Sequence, residues 1–444
     1  MEKGIRYYDV RHVTGDSTHI DIDNGVIESA GTSFFSTAVI RVLGDAGWGI
    51  LTIDNYTDPA GRDFDGLLQK ALDLARITNE PTLLADAPTG VLAVPRPKED
   101  PKDVSLEEKT ALLGEIETAA RIPGIVNTRA TYIERSEQTA FRDSSGNEYS
   151  YGICRSGFNV MAVASGDGNV QMAFERLHSI HGLNIRHQQE MGRIAGDRAV
   201  ALINAGVVKG GTMDAVLDPE LAGVFAHEAV GHASEGDLVH EGNSVLAGKM
   251  GEKIGSGLLT IVDDPTLHEF GFEPVDAEGV RVARTEIIRK GTVNAYLHNR
   301  ETLASVGHGI PGHARAMPGE PPLVRMSNTF IETGDAAFEE MTGEIRQGIL
   351  LCGSRGGQVD PGRGVFQFNA EYGYLVKDGE QGEMIRDVSL SGEILSTLHA
   401  IEMCGKERLM SQGYCGKGGQ SVPVSDGAPY VLLRNAVVGG SGSD

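Results

Sequence analysis

His227, Glu228 and His232 stand together as H-E-x-x-x-H in the run Leu221-Ala-Gly-Val-Phe-Ala-His-Glu-Ala-Val-Gly-His-Ala-Ser-Glu-Gly-Asp237. Two imidazoles are good ligands for zinc, and an adjacent carboxylate can take a proton from water. The common zinc-peptidase pattern, H-E-x-x-H, sets its histidines four apart on one helical face. Here the spacing is five, which on an ideal α-helix turns the two rings about 140° apart. One ion is reached only if the helix widens into a π-turn or unwinds. Gly231, just before the second histidine, is the residue expected to allow it. A lone histidine in a helix is more often a packed side chain. Two of them, with a glutamate and a glycine in an apolar segment, favour a metal site.

A catalytic zinc usually takes three protein ligands plus water, so a third donor is expected elsewhere. Cys415 lies in Gly413-Tyr-Cys-Gly-Lys-Gly-Gly-Gln420. Its glycines permit close backbone approach, and Lys417 is expected to lower the thiol pKa. Cys404, in Met403-Cys-Gly-Lys406, is a second candidate, and carboxylates also compete. Cys154 and Cys352 read as small residues in or beside buried strands. His308 and His313 repeat the five-residue spacing, but without a glutamate and in a Gly/Pro loop, and read as coincidence.

Before residue 210 the chain reads as strand meanders followed by helices. Strands are expected over 7–12 and 17–22, then a hairpin turn at Asn24-Gly25, then strands over 37–42 and 47–53. A helix is expected over 63–76, with Leu67, Leu68, Ala71, Leu72 and Leu74 on one face. The Pro-rich stretch 88–104 reads as an extended surface connector, and Ser105 caps a helix over 106–121. Strands recur over 125–133, 138–142, 146–154 and 159–165, followed by Asp167-Gly168 and a helix over 186–205. The unit is a candidate internal repeat. Past residue 210, a strand over 213–217 leads into a helix begun by Asp218 as N-cap and Pro219 in first position. Short strands follow, among them 258–262, 279–283, 286–289 and 292–297. The expected fold class is α+β: an N-terminal α/β domain of meanders and helices over 1–210, and a mainly antiparallel β domain with the metal motif over 211–444.

The chain has 444 residues, with 62 Asp and Glu against 39 Lys and Arg, a formal charge of −23. That acidity repels phosphate and argues against nucleic acid or an anionic membrane as partner. No apolar run of about 18 residues predicts a membrane helix. The opening MEKGIRYYDV has no basic leader with an apolar run, so no signal peptide is expected. Four cysteines are too few for a disulfide framework, which points to a reduced, cytoplasmic protein.

Four stretches then occur in order: H-E-A-V-G-H followed by Glu235-Gly-Asp237, Pro322-Leu-Val-Arg-Met-Ser-Asn-Thr329, Gly356-Gly-Gln-Val-Asp360, and Cys415-Gly-Lys-Gly-Gly-Gln-Ser-Val-Pro-Val424. Together they resemble the TldD side of the TldD/PmbA (TldE) metalloprotease family. Ser327 stands where that family often has threonine. The resemblance implies zinc held by His227, His232 and Cys415, with Glu228 as general base, in the catalytic rather than the motif-lacking type of subunit. It also implies a closed or tunnel-like dimer that admits unfolded peptides, either a homodimer or a heterodimer with a PmbA/TldE-like chain.

The expected reaction is therefore zinc-dependent hydrolysis of unfolded or short peptides. Arg325, Asn328 and Gln358 are candidate donors to substrate backbone or oxyanion, with ordinary hydrogen bonding in turns as the plain alternative. Glu235 and Asp237 are candidates to orient a ligand imidazole. A strand-rich second domain can also take an extended peptide by strand addition. Two rival readings are a non-catalytic assembly subunit with a structural metal and a zinc amidohydrolase acting on small amides. An intact Glu228 counts against the first.

Overall fold

Six strands dominate the first 180 residues. β1 (Tyr7–Asp23), β2 (Val26–Leu43) and β3 (Trp48–Asp54) form one antiparallel meander; β4 (Ile125–Asp143), β5 (Glu148–Gly166) and β6 (Asn169–Ser179) form another. The computed structural model describes residues 4–57, 63–166 and 168–442. Asp167, expected in a turn, lies outside the described residues. The meanders join through β1 and β4, giving the order β3-β2-β1-β4-β5-β6. Asn24 and Gly25 both have positive φ, 48° and 76°, as a two-residue hairpin turn requires.

Strands expected in pairs, such as 7–12 and 17–22, are continuous here. Thr14, Gly15 and Asp16 break the apolar alternation, yet their backbones pair with β2 on one side and β4 on the other. The ladder needs N–H and C=O groups, not apolar side chains. β6 had no counterpart among the expected strands.

Three helices, α1 (Phe64–Ile77), α2 (Leu106–Ala119) and α3 (Gln189–Asn204), cover one face of this sheet. Leu68, Ala71 and Leu72 of α1 pack on Ile40 and Val42. Leu74, expected on the same stripe, is exposed, because it lies one helical step off the buried Ala75. Ser105 caps α2 by accepting the Glu108 N–H at 3.1 Å.

Alternation sends the intervening residues to the opposite face. There Arg11 donates to the carbonyls of Ala316, Met317 and Glu320 at 3.2, 2.6 and 2.8 Å. Arg41, between Ile40 and Val42, pairs with Asp9 at 2.5 Å and Glu278 at 3.2 Å. Arg155 donates to the carbonyls of Phe270 and Phe272. This buried polar face meets the second half of the chain. The expected surface connector is stitched to that half as well: Leu92 N–H reaches Pro274 O, and Arg281 N–H reaches Pro88 O, both at 2.8 Å.

The second half builds a ten-stranded sheet and a six-stranded sheet. Antiparallel pairs predominate, but both sheets are mixed. Lys209–Leu217 runs parallel to Gln347–Cys352, and Asn328–Ile331 runs parallel to Gln420–Ala428. The strand expected over 279–283 is reduced to one bridge at Val280. Asp276 accepts the N–H groups of Glu278 and Val280 and closes a turn there instead. With strand at 46% and helix at 21%, the fold is α+β. No helix among the described residues is long and apolar enough to cross a membrane.

Candidate metal centre

Helix α4 (Pro219–Phe225) starts as its sequence predicts, with Asp218 accepting the Leu221 N–H at 2.8 Å. It follows the strand Lys209–Leu217 of the larger sheet and packs on the hairpin of Leu409–Lys417 and Gln420–Ala428 in the smaller one. The approach is close: a Cβ on Gly223 would lie 2.9 Å from the Gly427 nitrogen. After Phe225 the helix widens. Ala226–Gly231 is a π-turn, and the His232 N–H bonds to the His227 carbonyl, a five-residue step. This is the distortion that the histidine spacing requires. It brings the two ring centroids to 5.4 Å. Gly231 acts differently from the expectation: its backbone is ordinary helix at φ −54°. It is needed because Met326 packs against it, and a Cβ there would meet Met326 Cγ at 3.0 Å.

The hairpin brings Cys415 to the same place. Donor atoms of His227, His232 and Cys415 all lie within 4.8 Å of one another. Cys415 Sγ is 3.4 Å from His232 Nε2. Each imidazole turns its Nδ1 to a carboxylate. His227 Nδ1 is 2.7 Å from Asp426 Oδ1, and His232 Nδ1 is 3.0 Å from Glu235 Oε2. Both Nε2 atoms are left for a shared ligand, the usual way a second carboxylate fixes a metal-binding tautomer. Glu235 thus takes the orienting role expected of it. Asp426 was not singled out from the sequence. Its signal was there: Val422 pairs opposite Cys415, and Asp426, four residues on, falls on the same face of the strand.

The electrostatics follow from these contacts. Burial alone would strip the imidazoles of protons. Asp426 and Cys415 overcome it and hold His227 well above its usual pKa, while Glu235 and Cys415 lift His232 to about 10. Burial would likewise raise the Cys415 thiol, but His227 and His232 pull it down to about 5. The other cysteines go the opposite way: burial pushes Cys154 and Cys404 up to about 11 and raises Cys352 too. Cys404, the alternative third ligand, therefore lacks the cationic surroundings of a thiolate. Lys417 departs from its expected role. Its Nζ lies 2.7 Å from Asp237 and 3.1 Å from Glu235, so it balances the carboxylate behind His232 rather than the thiol. Two imidazoles and a thiolate, their protons standing where a cation's charge would stand, are a donor set suited to zinc. Glu228, on the same π-turn, keeps its side chain 33% exposed, with Oε2 3.8 Å from His232 Nε2.

Two of the expected substrate donors face inward. Arg325 is fully buried and donates from Nη2 to the Cys415 carbonyl at 2.5 Å. Asn328 is fully buried, donates to Asp264 O at 2.8 Å and accepts from Gly271 N–H at 3.0 Å. These bonds tie them to the hairpin and to the 264–271 loop. Ser327 donates its hydroxyl to Asp263 at 2.7 Å, a bond that a threonine would also make. Gln358 is exposed on Gly357–Asp360, an edge strand beside the π-turn. His313 is buried 3.7 Å from Asp263, and neither it nor His308 joins the cluster.

Models of the PmbA/TldA metallopeptidase match three stretches: domain 1 over residues 8–75, the central domain over 99–203 and the C-terminal domain over 210–440. A protein of Methanothermobacter thermautotrophicus named a metalloprotease is 39% identical, covering 99% of this chain and 97% of its own. A zinc metalloprotease TldD homolog of Saccharolobus solfataricus is 30% identical over 76% of this chain and 78% of its own. The solved structure of TldE from Thermococcus kodakarensis superposes with a TM-score of 0.75 at 19% identity, covering 97% of each chain. With all three domain models matched in order, this chain belongs to the PmbA/TldD metallopeptidase family.

Proposed function

We propose that the chain is a zinc-dependent peptidase acting on unfolded or short peptides, with His227, His232 and Cys415 as ligands and Glu228 as general base. The observation that carries this is the π-turn, which directs two imidazoles at one thiolate while leaving Glu228 partly exposed beside them. Zinc, when bound, lowers the pKa of water and polarises a carbonyl. Glu228 accepts the proton of the attacking water and returns it to the leaving nitrogen. Glu235 holds the His232 imidazole through Nδ1, Asp426 lies against Nδ1 of His227, and His232 with Lys417 keeps Glu235 ionised against its burial. The edge strand Gly357–Asp360 has unpaired backbone groups next to the π-turn. An extended peptide adding there is held by main-chain hydrogen bonds, which confer little sequence selectivity. The likeness to TldE supports a dimer, with a second copy or a TldE-like chain as partner. A thiolate ligand suits a reducing cytoplasm.

A purely structural zinc site is usually closed by four protein ligands; three donors and a neighbouring exposed glutamate favour catalysis. The test is metal analysis together with digestion of an unfolded peptide, alone and with a TldE-like partner. Glu228→Gln keeps stoichiometric zinc and loses turnover by on the order of 10²- to 10⁴-fold. Cys415→Ser loses the zinc. Stoichiometric zinc without cleavage in the wild type points to an assembly subunit, and cleavage of simple amides but not peptides to an amidohydrolase. Full turnover by Glu228→Gln removes Glu228 from the reaction.

A further inference from the structure

Behind the Cys415 hairpin, the polar face of the first sheet and the second half of the chain line a cavity. A cleft between two halves of a chain is a common setting for small-molecule sites. Four guanidinium groups line it: Arg11, Arg135, Arg155 and Arg315. Three carboxylates accompany them, and they do not cancel the charge evenly. Arg155 and Arg315 share the single carboxylate of Glu273, at 3.2 and 2.7 Å. Arg11 is bonded to three carbonyls and pairs with no carboxylate among the described residues. Arg135, partly exposed and stacked over Phe35, has its Nε 2.7 Å from Glu137. Asp276 is turned to the backbone, where it accepts three N–H groups, so four guanidinium groups face three carboxylates and a small cationic excess remains. In a chain of net charge −23, composition alone does not account for a cationic cavity.

Free donors remain. Nη1 of Arg155 and both terminal nitrogens of Arg135 have no hydrogen-bond partner among the described residues. Tyr149 and Tyr151 also line the cavity, and burial keeps both phenols protonated. The Tyr149 ring stacks on Phe141 at 4.9 Å and makes a flat wall.

We infer that this cavity binds a ligand through a carboxylate, received by Arg155 and Arg135, with an apolar body against the tyrosine wall. One negative charge matches the small cationic excess, whereas a phosphate dianion would be repelled by Glu137 and Glu273. The carboxylate comes either from a free organic acid or from the C-terminus of a peptide. None of its lining residues is a proposed metal ligand, although Tyr414 and Pro423 line it from the hairpin that carries Cys415.

The full chain, zinc-loaded and zinc-stripped, is titrated calorimetrically with N-acetylphenylalanine and with its amide. The acid binds both forms, and the amide binds at least about tenfold more weakly. Arg135→Gln, which leaves the carbonyl bonds of Arg155 and Arg11 intact, weakens the acid about tenfold without altering zinc content or melting temperature, and Tyr149→Leu, which removes the flat ring, weakens it as well. Equal binding of acid and amide, acid affinity unchanged in both variants, or binding only in the zinc-loaded form overturns the assignment. N-acetyl-Ala-Ala-Phe identifies the source: tighter binding than the single residue points to a peptide terminus and weaker binding to a free acid, either one upholding a carboxylate site. Zinc content and peptide cleavage, measured alongside, report separately on the metal centre.

Discussion

The first sheet and the sheets around the metal centre use strands in opposite ways. In the first, strands as long as 19 residues pair along nearly their whole length, mostly with sequence neighbours. Its helices bury an apolar face, and its charged side chains gather on the other face. In the second half, several strands have only two to six residues, and a hairpin of two nine-residue strands brings Cys415 to His232 across 183 positions. Glu235, Asp263 and Arg325 are fully buried there, each held by specific polar contacts. Long regular ladders make a platform. Short strands with tight turns and buried hydrogen bonds place individual atoms, at the cost of needing many distant contacts at once.

The largest test of this contrast is at the seam. Arg41→Met leaves Asp9 and Glu278 buried without their cation, and stability falls by about 3–5 kcal/mol in urea unfolding. An unchanged midpoint would show that the platform and the metal-bearing half do not depend on this link. Next, Lys417→Met removes the cation behind Glu235. Zinc affinity, measured by chelator competition, drops about ten- to hundredfold while the first sheet is untouched. Unaltered affinity would mean that Glu235 orients His232 unaided.

Gly231→Ala pushes a methyl against Met326 and costs about 1–3 kcal/mol. The double change with Met326→Ala recovers part of it, unless the strain lies in the π-turn itself. The smallest effect is at Glu220, in the first turn of α4. Burial, opposed by Arg176 at 3.0 Å, raises its pKa to about 7. The folded chain thus holds this proton to higher pH than the unfolded chain does. No cost exists below about pH 4.5, and the cost grows as pH rises through about 7. Glu220→Gln should gain about 1 kcal/mol at pH 8, discounted for its partial exposure, and nothing at pH 4. An equal gain at both values would rule out titration as the cause.

What the sequence made legible was local physics. Asn24-Gly25 needs only its own φ preferences, Ser105 and Asp218 need only the helix ends they cap, and a five-residue histidine spacing permits few backbone solutions. Register and direction were hidden. Whether 7–12 and 17–22 are one strand depends on neighbours over 100 residues away. Lys417 sits two residues from the thiol on the same strand face, yet the fold of the 235–237 segment draws its Nζ to Glu235 and Asp237. Arg325 and Asn328 carry donors suited to a substrate, and only the packed structure shows both side chains buried, with Arg325 Nη2 on the Cys415 carbonyl and Asn328 on Asp264.

One ribbon carries both the sulfur donor and the acid that steadies the first histidine. Sliding or peeling it would withdraw Cys415 and Asp426 in a single movement, so half-dismantled sites with only one of them missing have no easy path to form. The geometry of both groups is thereby tied to one hairpin, closed by Gly418 and Gly419.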